Sequence, residues 1–202
     1  LPWSDPVERV EMHIIKAVLR VAKTKYVDIP AAAQCMAILS RVRPNALLKL
    51  VDRISETILS TLDSPSKRQP QRGLGTVRLL GELFIANVIS LQLIFDTLYL
   101  FINYDHEETS STGTITTDPS IPSELDPPSD LYRVQLICEI LNSCGEKFCR
   151  DKIKLDRLTR FILYFQRYLL SKPALPTHVE FGVLDTLDFL EAKARSSRRH
   201  SN

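Results

Sequence analysis

Apolar residues return every three or four positions along most of this chain, and the alternating β-branched runs of strands are absent. The first such stretch predicts a helix over residues 5–24, with Val7, Val10, Ile14, Val18 and Val21 on one face. Ser4 or Asp5 can cap it, and Pro6 suits its first position because the missing N–H would be unpaired there anyway. A second helix is expected over 30–42, ending where Arg43 precedes Pro44, since the residue before proline disfavours helical geometry. A third is expected over 45–62, with Leu47, Val51, Ile54, Ile58 and Leu62 as its buried ridge. It stops at Ser64, Pro65 and Ser66, and a polar, basic link from Lys67 to Arg72 follows.

Residues 76–86 and 90–104 read as a helical hairpin broken at Asn87. The stretch 105–129 is rich in Ser, Thr, Pro and acids and has little to bury, which predicts a mobile loop. Helices resume over 130–144, 152–170 and 179–194, and the basic end, 195–202, is expected to fray. About eight helices joined mostly by short links imply antiparallel helix pairs stacked side by side in one module spanning 1–202. No residue-level repeat is visible, so a solenoid would be irregular, and a compact helical bundle is the competing architecture.

Composition supports an all-α reading: the 202 residues include only six glycines, and 44% are hydrophobic, enough for a sizeable core. With 26 Lys and Arg against 24 acids, net charge identifies no partner, and only the placement of charge is informative. No apolar run approaches the roughly 20 residues of a membrane span. Cys35, Cys138, Cys144 and Cys149 have neither metal nor redox spacing and read as reduced, buried thiols of a cytosolic or nuclear protein. His13, His106, His178 and His200 are scattered and form no metalloprotease motif. Gly73, Leu74 and Gly75 precede a predicted helix but lack the lysine of a phosphate-binding loop, so they are read as freeing the chain to enter that helix. Catalysis, metal and cofactor are therefore not expected, and the chain reads as a binding module.

Within the third helix, Asp52, Glu56 and Asp63 fall at i, i+4 and i+11. At about 100° per residue, Glu56 and Asp63 are rotated by roughly 40° and 20° from Asp52, so the three acids share one line beside the buried ridge. Lys49 and Arg53 lie close enough to soften the field without occupying the line. A solvated face explains the pattern equally well. Against that reading, like charges at i and i+4 repel by a few tenths of a kcal/mol, and an anion at a helix C-terminus opposes the macrodipole. A basic protein partner would offset both costs. Two basic clusters are candidates for RNA phosphates: Lys67, Arg68 and Arg72 with Arg78, and Lys193 with Arg195, Arg198 and Arg199. Neither has interleaved aromatics for base stacking, which favours solvated link and tail charge. Phe161, Tyr164, Phe165 and Tyr168, spaced by three, one and three, read as core.

Several motifs together carry a family resemblance: Leu1, Pro2 and Trp3 with Asp5; the run from Leu80 to Leu83; Ile94 and Phe95 with Thr97, Leu98 and Tyr99; and the run from Leu125 to Pro128. Arg133 with Leu136 and Cys138, then Cys144 and Gly145, the run from Tyr164 to Tyr168, and Asp185 to Leu187 complete the set. In these the chain resembles the third middle domain of the up-frameshift protein two family, the scaffolds of nonsense-mediated mRNA decay. That domain type is shared with translation initiation factor four-G. The resemblance implies a solenoid of about ten helices in HEAT-like hairpins, a cytoplasmic, perinuclear location, and scaffolding without catalysis. It also implies a partner, the RNA-recognition-motif domain of up-frameshift protein three, which presents basic residues to an acidic helix. The acidic positions of that helix fall on Asp52, Glu56 and Asp63, with Asp63 standing where the family has a glutamate. The chain departs from the family between residues 105 and 123 and in the link after Tyr168.

Overall fold

The computed structural model describes residues 6–67, 69–109, 115–119, 121, 123–172 and 174–200. Eight α-helices dominate them: α1 (Pro6–Thr24), α2 (Ile29–Val42), α3 (Pro44–Asp63), α4 (Pro70–Ile85), α5 (Leu91–Asn103), α6 (Tyr132–Cys149), α7 (Lys152–Leu170) and α8 (Thr177–His200). Short 3-10 turns at Tyr26–Asp28 and Pro65–Lys67 flank α2 and α3, and a small antiparallel hairpin pairs β1 (Glu107–Thr109) with β2 (Ile115–Thr117). Prolines open α2, α3 and α4, where the first N–H groups have no helical partner to lose. The Ser90 hydroxyl caps α5 by accepting from the Leu93 N–H at 3.2 Å, and the Asp151 carboxylate caps α7 from Ile153 at 2.9 Å.

Helices α1, α2 and α3 lie against α4, α4 lies against α6, and α6 carries α5, α7 and α8. Each layer packs mainly on the next, which makes an all-α, HEAT-like stack of hairpins, as the family resemblance implies, rather than the competing compact bundle. An aromatic relay runs through it. Phe84, Phe148, Phe95, Phe161 and Tyr99 follow one another at centroid separations of 5.4, 5.4, 6.4 and 5.3 Å, joining α4, α6, α5 and α7. Phe161, Phe165 and Tyr168 are fully buried and Tyr164 is half-buried, so this run is core.

Sequence and structure part at several places. Gly73 and Gly75 lie inside α4 rather than before it. A Cβ on Gly75 would stand 1.8 Å from the Ala22 carbonyl oxygen, and one on Gly73 would stand 1.8 Å from the Tyr132 hydroxyl. The glycines let α1 and α6 approach the central helix, and they do not serve helix entry. In α1 the buried residues are Glu11, Ile15, Val18 and Ala22, while Val10 is 59% exposed. Apolar residues occur on most sides of α1, so periodicity leaves the phase of its buried face open, and the close α4 contact selects the side holding Ala22. The ridge of α3 is Ala46, Leu50, Ile54, Ile58 and Leu62, with Leu47 and Val51 only partly covered. Cys35 is exposed rather than buried, and burial raises the Cys138 and Cys144 thiols to about 11 and about 12. Helix α8 continues to His200, past the polar residues expected to end it, helped by the Lys193 to Glu146 ion pair at 2.7 Å.

The stretch 105–129 differs most from the expected loop with little to bury. Residues 110–114, 120 and 122 lie outside the described part, but its two ends are fastened. The Asp126 carboxylate is buried and accepts from Lys172 Nζ at 2.8 Å and the Tyr168 hydroxyl at 2.9 Å, with His106 Nε2 at 3.0 Å. Arg133, fully buried, brings Nε to 3.7 Å of the same carboxylate. Its Nη1 donates to the carbonyls of Phe101 and Tyr104, at 3.2 and 2.8 Å, closing the C-terminus of α5 where unpaired carbonyls gather. Composition conceals this because a single buried carboxylate, held by His106 and by partners on α6, α7 and the link beyond, fastens the two ends of the segment.

Candidate functional site

One side of α3 fills the core through Leu50, Ile54, Ile58 and Leu62, which turns the opposite side to solvent. Asp52, Glu56 and Asp63 are all exposed there. Asp52 makes no hydrogen bond or ion pair among the described residues. Glu56 accepts from Arg53 Nη1 at 2.8 Å, with side chains 63% and 53% exposed, so the pair is worth at most about 1 kcal/mol. Asp63 accepts from the Tyr104 hydroxyl at the end of α5. That bond comes first among the causes that raise the Tyr104 pKa, ahead of burial and the charges of Asp63 and Asp105.

Asp105 is a residue that sequence reasoning missed: its charge acts on the same Tyr104 that bonds Asp63, a link made only by the meeting of α3 with the end of α5. It adopts φ 63°, a left-handed conformation that Asp tolerates better than most side chains. Its carboxylate is held by the Ser123 hydroxyl at 2.6 Å. Lys49, which could have weakened the acidic face, turns to α1 and meets Glu8 at 3.0 Å and Glu11 at 3.4 Å. The result is an acidic face whose charges are free, held by an exposed arginine, or held by a neutral hydroxyl. Each can be exchanged for a partner's cation at modest cost.

The basic candidates are dispersed. Arg68 and the Lys67 side chain lie outside the described residues, as do the side chains of Arg198 and Arg199. Arg72 is half-buried in the first turn of α4 beside Lys23, whose pKa is lowered by burial and then by the Arg72 charge. Arg78 stacks on Tyr26 at 4.5 Å and meets Glu139 at 3.4 Å and Glu82 at 3.6 Å, so it is structural. Arg195 pairs with Glu191 at 2.5 Å. Gly73 faces Tyr132, and Gly81 faces Ser143, so α4 and α6 run parallel. Arg72 therefore sits at one end of that pair, and the Lys193 to Glu146 bridge sits at the other. Among the described residues, Arg72 and Arg195 thus do not share one basic surface.

Among the described residues, no cluster of three or more His, Cys, Asp or Glu could hold a metal ion, and no helix is long and apolar enough to cross a membrane. A cavity of about 350 Å³ between α7 and α8 is lined chiefly by Leu155, Leu158, Ile162, Leu187 and Leu190, with Thr159, Gln166 and Glu191 as its polar residues.

The sequence profile of the MIF4G domain matches residues 1–193, nearly the whole chain. The chain belongs to the MIF4G domain family. Its helical, solenoid-like architecture is that of the family, and its curated relatives extend the match. It is 36% identical over 185 residues to the Arabidopsis thaliana protein named regulator of nonsense transcripts UPF2, covering 92% of this chain. It is 30% identical over 204 residues to human regulator of nonsense transcripts 2, covering 96% of the chain. It is 26% identical over 184 residues to nonsense-mediated mRNA decay protein 2 of Saccharomyces cerevisiae, covering 91%. This MIF4G domain corresponds to only 14, 15 and 16% of the respective lengths of those proteins.

Proposed function

We propose that this MIF4G domain is a non-catalytic, cytoplasmic scaffold module of nonsense-mediated mRNA decay that docks a basic protein domain on α3. In this reading it corresponds to the third middle domain of up-frameshift protein two. Its partner is the RNA-recognition-motif domain of up-frameshift protein three. The observation that carries the reading is the exposed line of Asp52, Glu56 and Asp63 on a helix whose other side is core, in a chain whose relatives are named for the decay of nonsense transcripts. Charge complementarity of this kind steers encounter and fixes register. A direct RNA contact through Lys67, Arg68, Arg72, Arg195, Arg198 and Arg199 has less support, because Arg72 and Arg195 stand at opposite ends of the α4–α6 pair and Arg195 is paired within its own helix.

The test is calorimetry of the chain against that RNA-recognition-motif domain, wild type beside the double variant Glu56→Lys, Asp63→Lys. The reversal should cost on the order of 2–5 kcal/mol of binding free energy if both charges are paired in the complex. Unchanged affinity with an intact helical spectrum would remove these residues from the interface.

A further inference from the structure

The solvent face of α3 is not uniformly acidic. Taking Asp52 as zero and about 100° per residue, Leu48 stands near −40°, Leu59 near −20°, Asp63 near 20° and Glu56 near 40°, an arc of about 80°. Leu48 is 62% exposed and Leu59 is 39% exposed. A lone exposed leucine needs no explanation. Here, however, two of them punctuate the same line as the acids, in the order Leu48, Asp52, Glu56, Leu59, Asp63. Leu50, Ile54, Ile58 and Leu62 already fill the core side, so the fold makes no demand for leucine at 48 or 59. The nearest cation to Leu48 in the chain, Lys49, is drawn away to Glu8 and Glu11 on α1.

We infer that Leu48 and Leu59 are the apolar anchors of the docking line, and that the surface it accepts is a basic protein face with two apolar contacts about 16 Å apart. This inference rests on the reading that α3 docks a basic partner, and it divides the labour within that site. Charged groups across an interface act on encounter and register, whereas desolvated apolar side chains carry most of the lasting affinity. An acidic line alone would bind any polycation. The two leucines make the line selective for a folded basic domain that offers apolar positions at the matching separation, which a phosphate-binding basic tail does not.

The experiment measures binding of the purified RNA-recognition-motif domain of up-frameshift protein three across a salt series. The variants are Leu48→Ala/Leu59→Ala and Glu56→Lys/Asp63→Lys, with Leu163→Ala, a 63% exposed leucine on α7, as control. Alanine is as good a helix former as leucine, and circular dichroism verifies that each variant is folded. The leucine pair should weaken binding at least about tenfold with an unchanged salt slope, while the reversal weakens it and flattens that slope. The control should bind as wild type. Wild-type affinity in the leucine pair, with the reversal impaired, overturns the inference and leaves the docking site standing. Wild-type affinity in both variants, or no binding by the wild type, overturns the docking reading and the inference with it. A loss in the Leu163 control equal to that of the leucine pair also overturns the inference.

Discussion

Replacing Asp126 by Asn keeps the shape of the side chain and removes its charge, leaving Arg133 and Lys172 as buried cations without an anion. Arg133 is 0% exposed and Lys172 6%. Removing one member of a buried ion pair costs about 3–5 kcal/mol, because the remaining charge can neither reach water nor find another partner. An asparagine oxygen can still accept from Lys172 and Tyr168 whereas alanine cannot, which places the asparagine variant near the lower value and Asp126→Ala near the upper. At about 2–4 °C per kcal/mol for a chain of this size, the loss corresponds to roughly 6–20 °C in melting temperature. Urea unfolding followed by circular dichroism gives the free energy directly. The pH dependence supplies a second readout. Burial opposes ionisation of Asp126, yet the hydrogen bond from His106 and the charges of Arg133 and Lys172 hold its carboxyl below the usual carboxylate range. A depressed folded pKa contributes stability that is present above the unfolded value, about 3.9, and is lost as pH falls through the folded value. The gap between wild type and Asp126→Asn should therefore narrow as pH drops below about 4. A loss under about 1 kcal/mol at neutral pH, or a gap unchanged in acid, would refute the claim that this carboxylate pins the segment.

Gly75→Ala should cost on the order of 3 kcal/mol in chemical denaturation, because the new methyl meets the rigid Ala22 backbone oxygen rather than a yielding side chain. A loss smaller than about 1 kcal/mol would show that α1 can shift away freely. Arg53→Ala should strengthen binding of a basic partner by up to about 1 kcal/mol, most visibly at low salt, since it removes a cation from the docking face and frees Glu56. Weaker binding by this variant would mean that Arg53 itself contacts the partner.

The elements were legible in the sequence because their signals are local. Pro30 and Pro44 stand in the first turns of α2 and α3, and the apolar period of α7 sets both of its ends at the expected residues, whereas Pro70, read as part of the link, opens α4 six residues before the expected start at Thr76. The acidic line was legible for the same reason, since a helix fixes the relative angle of Asp52, Glu56 and Asp63 wherever the helix goes. What the period leaves open is which side of a helix meets which neighbour. It misassigned Val10 in α1 and moved the ridge of α3 by one residue at Leu47 and Val51, because both helices offer more apolar positions than one face can hold. Gly75 and Asp126 act through partners remote in the chain, Ala22 and Lys172, and neither carries a local signature of that role. The motifs that mark the family resemblance fare differently. Leu125 and Asp126, Arg133, and Tyr168 meet in one buried knot, which gives a physical reason for those residue types to occur together.

That knot also reaches the candidate site. Asp126 faces Arg133, Arg133 donates to the Tyr104 carbonyl, and the Tyr104 hydroxyl donates to Asp63. An aspartate at the C-terminus of α3 would be unfavourable alone, but here a donor from a neighbouring helix end answers its charge. The cost expected of the isolated helix is thus largely met within the molecule at Asp63 and at Glu56. Asp52 remains the acid with no internal partner. A basic domain approaching α3 gains at Asp52 without breaking any bond, and must displace a neutral hydroxyl at Asp63 and an exposed arginine at Glu56. Because Tyr104 is fastened through the buried arginine, Asp63 is held in place before the partner arrives, and little ordering cost is left for the encounter.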